Sequence, residues 1–141
     1  MTMSEQVRAL HLAALANVPI LLIGEPGLGK TAVVQTLGEA MGLPTVTLIL
    51  ALMEPSDMGI PHPDPEDRER YKLLLPPWFR SDPILLFLDE LSQAAAPVQA
   101  AALRLVLERR LHHAQLHQAS RVIAAMNPGY QGVIEPLINR F

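Results

Sequence analysis

Four short runs of apolar and β-branched residues divide the chain, and segments with apolar residues at helical spacing lie between them. The runs are Pro19–Ile23, Thr45–Leu50, Ile84–Leu88 and Arg121–Ala125. A short apolar run without polar alternation is typical of a strand that is buried on both faces, as in a parallel sheet. The pattern therefore predicts an α/β fold in which helices flank a mainly parallel sheet.

Helical spacing is clearest near the N-terminus, where Val7, Leu10 and Ala14 fall on one face and Ser4 is the predicted N-cap. Gly and Pro residues mark where two further helices begin or end. The predicted helices are Ser4–Ala16, Lys30–Met41 and Pro97–Arg110, with a shorter one beginning in Val133–Leu137.

The segment Met53–Pro83 breaks this alternation, because it contains seven of the 13 prolines and a charged run. We predict a long irregular excursion from the domain, with at most a short helix or hairpin, and such loops are usually functional or mobile. Its two large aromatic residues, Tyr71 and Trp78, are predicted to anchor it on the core rather than to stack on a base. A contact with a partner is possible, but no residue can be singled out for it.

Composition narrows the class of protein. A chain of 141 residues has the size of one domain. Without cysteine it has no disulfide, thiol catalysis or Cys-ligated zinc. Its net charge of −3 does not indicate nucleic acid or a membrane as a partner. The apolar runs are too short to span a bilayer and the N-terminus does not resemble a signal peptide, so we expect a cytoplasmic protein.

Three histidines, His112, His113 and His117, cluster in one connection, and two of them have the i,i+4 spacing that suits a metal on a helix. No carboxylate joins them locally. We therefore interpret them as solvent-facing loop residues.

The stretch GEPGLGKT, Gly24–Thr31, matches the pattern G-x-x-x-x-G-K-[ST] at every fixed position and follows a predicted strand. Glycines let backbone N–H groups approach a polyphosphate, and the following helix directs its N-terminal dipole at the same anion. Lys30 adds a positive charge near the β- and γ-phosphates, and the Thr31 hydroxyl is placed to bind Mg²⁺. The residues of the predicted site are Gly24, Glu25, Pro26, Gly27, Leu28, Gly29, Lys30, Thr31 and Ala32.

Polar residues follow two of the predicted strands. Asp89 and Glu90 come directly after Ile84–Leu88, and Asn127 follows the fourth strand. Open α/β sheets bind ligands at this edge, where Asp89 can hold Mg²⁺ and Glu90 can orient and activate a water. Asn127 could reach the γ-phosphate or that water, although Asn-Pro also simply starts turns.

In this order, GEPGLGKT, LLFLDE, VIAAMNP and PLINRF resemble the AAA+ ATPase module, as its Walker A, Walker B, sensor 1 and arginine-finger segments. The stretch ELSQAAAPVQAAALRLVLERR looks more specifically like the MoxR-type branch. The resemblance implies a P-loop NTPase fold, with ATP and Mg²⁺ as cofactors. It also implies ATP hydrolysis that is coupled to remodelling or maturation of a partner, which is often a von Willebrand A-domain protein.

The same resemblance assigns roles to single residues. Lys30 and Thr31 would bind phosphate and Mg²⁺, Asp89 would support Mg²⁺, Glu90 would be the catalytic base and Asn127 the sensor. Arg140 would be an arginine finger that acts on the nucleotide of a neighbouring subunit, commonly in a hexameric ring. The alternative for Arg140 is a surface arginine paired with a carboxylate.

The chain departs from the family after Phe141, where a complete module continues with a fifth strand and a helical lid. Residues 1–141 would then be an incomplete large subdomain, with residues 53–83 as an insertion. Pro19–Ile23 would be left as an apolar edge, which favours association. We expect weak nucleotide binding, poor hydrolysis and self-association. The alternatives are an ATP-dependent assembly switch with weak or no hydrolysis and, less well supported, a small-molecule kinase.

Overall fold

The computed structural model of the chain describes residues 2–25, 27, 29–67 and 69–128. Helices alternate with strands in its first half, and a hairpin excursion separates the second core strand from the third. In chain order the elements are α1 (Met3–Leu15), β1 (Ile20–Ile23), α2 (Lys30–Met41), β2 (Thr45–Ile49), β3 (Ile60–Pro63), β4 (Tyr71–Leu74), β5 (Leu85–Asp89), α3 (Ala96–Leu107), β6 (Arg110–Leu111), β7 (Ala114–Gln115) and β8 (Arg121–Met126).

The core sheet has the order β1-β8-β5-β2, and all of its strand pairs are parallel. Each of the four predicted core strands is present, with no bound shifted by more than one residue, so the predicted α/β architecture is confirmed. Among the described residues, β1 and β2 form the two edges of this sheet. Accordingly β1 is only partly buried, and the side chain of Ile23 is 53% exposed.

Burial of β5 on both faces organises the core. Its side chains alternate, so that Leu86 and Leu88 pack on one side of the sheet and Leu85 and Phe87 on the other, all fully buried. The first layer is completed mainly by α3 and the second by α1 and α2. The result is a sheet between two layers of helices.

Two predicted helix ends were wrong. Thr2, not Ser4, caps α1, because Glu5 lies three residues after Thr2 and completes a capping box with it. The Glu5 amide donates to Thr2 Oγ1 at 3.2 Å and the Thr2 amide donates to Glu5 Oε2 at 2.7 Å. These hydrogen bonds lower the pKa of the Glu5 carboxyl. The second wrong end is that of α3, which stops at Leu107 instead of Arg110, because Arg109 has a left-handed backbone with φ 57°.

The predicted excursion consists of a 3-10 turn, Pro55–Met58, and the antiparallel hairpin β3–β4. Trp78 packs against the core and its Nε1 donates to the Asp57 carbonyl at 3.1 Å, so its predicted anchoring role is confirmed. The side chain of Tyr71 lies outside what the structure describes, as does the predicted helix at Val133–Leu137.

The histidines lie in and after the small β6–β7 hairpin. His112 and His113 are exposed as predicted, whereas His117 is half-buried and its Nδ1 accepts a hydrogen bond from the Ala119 amide. No helix in the described ranges is long and apolar enough to cross a bilayer.

Gly38 shows how closely α2 packs on the sheet. A Cβ at this position would overlap with Thr45 Oγ1 and would lie 3.1 Å from the Leu43 carbonyl oxygen. We expect Gly38→Ala to destabilise the fold by about 1–3 kcal/mol, although Ala is the better helix former. Urea unfolding would measure this. Adding Thr45→Ala should recover part of the loss as a coupling energy. A Gly38→Ala chain more stable than the parent would contradict this packing.

Candidate functional site

Polar residues lie together where three parallel strands of the core sheet reach their carboxyl ends. The phosphate loop, Gly24–Thr31, follows β1, Asn127 follows β8, and Asp89 is the last residue of β5. Because β8 lies between β1 and β5, Asn127 is placed between the loop and the acidic pair. Ligands bind at this edge in open α/β sheets.

Lys30 joins the loop to the neighbouring strand. Its Nζ donates to the Gly24 carbonyl oxygen at 2.6 Å and to Asn127 Oδ1 at 3.1 Å, and it lies 3.5 Å from the Met126 carbonyl oxygen. The Gly24 amide also donates to Met126, at 3.2 Å. The structure thus brings together two predicted site residues, Lys30 and Asn127, that are 97 positions apart.

The backbone of the loop ends in an uncapped helix. Gly29 is the N-cap of α2 and offers no side chain, and the first turn of α2 contains no acidic residue. Gly27 and Gly29 have φ values of 81° and 82°, which favour glycine. The free N–H groups of the first turn and the nearby Lys30 ammonium together form a site for an anion.

Side chains near both ends of the loop face solvent. Glu25, Thr31 and Ala32 are exposed, so the Thr31 hydroxyl is open to solvent. Pro26 and Leu28 lie outside the described residues. The start of α2 at Lys30 agrees with the predicted strand, loop and helix.

The acidic pair has two different environments. Asp89 is half-buried and its Oδ1 accepts a hydrogen bond from the Glu90 amide at 2.8 Å. Glu90 is exposed and has a left-handed backbone, φ 55° and ψ 43°, which costs a non-glycine residue about 1 kcal/mol. No donor among the described residues reaches its carboxylate, so it is open to water. The chain thus turns sharply directly after β5, between the two carboxylates.

The predicted metal ligands, Thr31 and Asp89, both of which the structure describes, are not hydrogen-bonded to each other. A hydroxyl and a carboxylate are nevertheless oxygen donors of the kind that Mg²⁺ prefers, and Mg²⁺ keeps several waters when it binds. Arg140, the predicted arginine finger, lies outside the described residues.

Beside the loop lies a cleft of about 320 Å³ that the sequence patterns did not predict. Leu10 from α1 and Leu22 and Ile23 from β1 give it apolar walls, while Gln6 and Lys30 contribute polar groups. The apolar side of α1 and the partly open edge strand β1 both contribute to it. An anion site at one end of an apolar cleft suits a ligand with a phosphate tail and a flat organic group.

Comparison with known proteins supports this description. The family model for the AAA domain (dynein-related subfamily) matches residues 19–141. No curated protein sequence matches the chain. A candidate ATPase from Cytophaga hutchinsonii has 26% identity and a TM-score of 0.68, covering 98% of this chain and 44% of that one.

Two further solved structures share the fold. NtrX from Brucella abortus, in complex with ADP, has 17% identity and a TM-score of 0.66, and the match covers 98% of this chain and 33% of NtrX. A RuvB mutant from Thermotoga maritima has 19% identity and a TM-score of 0.66, with 97% and 43% covered. The chain therefore spans less than half the length of each of these three proteins.

The glycines of the loop are not equivalent. A Cβ at Gly29 would meet nothing within 4 Å, so its positive φ alone makes Ala unfavourable. At Gly24 a Cβ would make an ordinary contact, 3.8 Å from Lys30 Cδ. We expect Gly29→Ala to cost about 1–2 kcal/mol of unfolding free energy and Gly24→Ala less than about 0.5. Urea denaturation of both variants would test this, and equal losses would show that φ does not distinguish these positions.

Proposed function

We propose that this chain, which belongs to the dynein-related subfamily of AAA domains, binds Mg²⁺-ATP at Gly24–Thr31 and takes part in its hydrolysis. The observation that carries the proposal is the convergence of Lys30, Asn127 and the uncapped first turn of α2 at one edge of the sheet. The ADP in the NtrX structure supports an adenine nucleotide as the ligand.

The residues of the loop would hold the polyphosphate by charge and by backbone hydrogen bonds. In the structure the Lys30 ammonium already has protein acceptors, Gly24 and Asn127, so phosphate oxygens would replace part of that set. Lys30 would thereby bring the β- and γ-phosphates close to the Asn127 amide. A bound nucleotide would either break the Lys30–Asn127 hydrogen bond or accept a hydrogen bond from Lys30 alongside it.

Thr31 and Asp89 would hold the magnesium ion, Asp89 through water, since Mg²⁺ keeps several waters when it binds. When bound, Mg²⁺ neutralises charge on the transferred phosphoryl group. Glu90 would orient the attacking water and accept its proton, for which its exposed carboxylate has no competing donor among the described residues. The cleft of about 320 Å³ beside the loop would take the base, with Gln6 as a polar contact.

At a finer level we propose a MoxR-type module whose hydrolysis drives remodelling of a partner protein, with a von Willebrand A-domain protein as one candidate. Self-association into a ring would bring Arg140 of one subunit to the nucleotide of the next. Within the described residues β1 has no strand partner other than β8, and an unpaired strand edge supports association. These steps rest on the sequence motifs and on the family.

Single substitutions should separate binding from hydrolysis. Lys30→Ala removes a charge-assisted contact, so ATP affinity should fall by about 10- to 100-fold in a titration with a fluorescent ATP analogue. Glu90→Gln should keep that affinity within about twofold and lower phosphate release by about 100-fold or more. Arg80→Ala and Glu39→Gln, both at exposed positions, are the matched controls.

Unchanged affinity of Lys30→Ala would contradict the proposed site. Unchanged phosphate release by Glu90→Gln would remove the role of Glu90, and a parent chain that binds but never hydrolyses would favour an assembly switch.

Mixing two inactive variants tests whether Arg140 acts between subunits. Glu90→Gln keeps the arginine and Arg140→Ala keeps the carboxylate, so each variant lacks a different half of the proposed composite site. We expect the mixture to release phosphate faster than the sum of the separate variants, increasingly so at higher total concentration. A mixture that only adds up the separate rates would place Arg140 outside the neighbour's site.

A further inference from the structure

Two arginines meet at the end of the sheet where β8 begins, opposite the phosphate loop. Arg121 is the first residue of β8, and Arg109 follows α3. Both donate to the same carbonyl oxygen, that of Ser120, from Arg109 Nη2 at 2.5 Å and from Arg121 Nη1 at 2.9 Å. They also share the Gln118 carbonyl oxygen, at 3.4 and 3.1 Å. Two guanidinium groups are thus held side by side.

No carboxylate compensates these charges within the described residues. All hydrogen-bond acceptors of the two guanidinium groups there are neutral oxygens, namely those of Ala14, Asn17, His117, Gln118 and Ser120. Arg109 Nε and Arg121 Nη2 have no acceptor in this part of the chain. Burial lowers the pKa of Arg109, and the positive charge of Arg121 lowers it further. Arg109 and Arg121 are both half-buried, and two like charges this close repel each other unless an anion joins them.

The backbone around the pair is held in an uncommon conformation. Arg109 and Asn17 both have left-handed backbones, with φ values of 57° and 55°, and Arg109 Nη1 donates to Asn17 Oδ1 at 3.0 Å. The left-handed region costs a residue such as Arg about 1 kcal/mol, and such positions cluster at functional sites.

A cleft of about 250 Å³ opens onto both guanidinium groups. Its other lining residues are mostly apolar and come from the segment before β1, from the start of β1 and from the end of α3; they include Val18, Pro19, Ile20, Val106 and Leu107, while Asn17 adds one polar side chain. We call this feature the arginine cleft. Val18 is 51% exposed and Leu107 is 40% exposed, so the apolar walls are open to solvent.

We propose that the arginine cleft binds a carboxylate of a partner protein segment, an acidic side chain flanked by aliphatic ones. A guanidinium group matches the planar carboxylate, and Arg109 Nε and Arg121 Nη2 are donors without an acceptor among the described residues. The apolar walls favour a carboxylate that is attached to hydrocarbon over a free, fully hydrated anion. A nucleic-acid partner fits less well, since it needs a broad basic surface and the chain has a net charge of −3.

The test uses the 141-residue chain and three probes: acetyl-Leu-Glu-Leu-amide, its Gln counterpart, and inorganic phosphate. We expect the Glu peptide to shift the ¹⁵N NMR signals of the Arg109 and Arg121 side chains and the amides of Val18 and Leu107. The Gln peptide should bind at least about tenfold more weakly, because it lacks the charge. Phosphate should leave the apolar wall unperturbed.

Equal binding of the Glu and Gln peptides would overturn the proposal, as would shifts that map elsewhere or the absence of any shift at millimolar peptide. Phosphate that shifts the side-chain signals of Arg109 and Arg121 as strongly as the Glu peptide does would show a free-anion site in the arginine cleft instead; shifts confined to Gly24–Thr31 would report the separate phosphate loop. Among variants, Arg109→Gln should abolish the response to the Glu peptide, while Arg104→Gln, which removes an exposed arginine paired with Glu108, should not. If Arg109→Gln does not fold, Leu107→Ser keeps both arginines and should still weaken the Glu peptide several-fold.

Discussion

Leu85–Leu88 in β5 are fully buried, with alternate side chains in the two layers of the core. No ionised group could occupy this stretch without a large desolvation cost. Polar residues can appear only where the strand leaves the core, at half-buried Asp89 and exposed Glu90. Because the neighbouring strands run parallel, the same rule places Asn127 and the phosphate loop at that edge. The position of the site follows from the burial of the sheet.

The Lys30–Asn127 hydrogen bond connects two parts of the chain that the sheet alone brings near each other. Without a nucleotide, the ammonium would face other backbone donors in the loop, and the carbonyl oxygens of Gly24 and Met126 offset that charge. Lys30 is therefore held in position by Gly24 and Asn127 before any ligand binds. An anion site that is largely preformed loses less conformational freedom on binding than a loop that must first fold.

The features that sequence patterns predicted are those set by local residues. The apolar runs located the core strands, and the glycine-rich pattern placed the start of α2 at Lys30. The α1 cap was predicted at the wrong residue because Ser4 is a common capping type, whereas the actual register depends on Glu5. The left-handed backbones at Glu90 and Arg109 and the cleft beside the loop arise from tertiary packing. No spacing rule in one segment could predict contacts that α1, β1 and α2 form only when packed.

One central strand carries polar groups at both of its ends, since β8 begins at Arg121 in the arginine cleft and ends just before Asn127. Its buried stretch Val122–Met126 is paired with β5 on one side and with β1 on the other. A ligand at one end of β8 can change affinity at the other end only if β8 has two alternative positions and the ligand binds them with different affinities. Sliding β8 would require breaking both ladders, which the closely packed core opposes. We therefore expect little coupling between the proposed nucleotide site and the proposed arginine cleft.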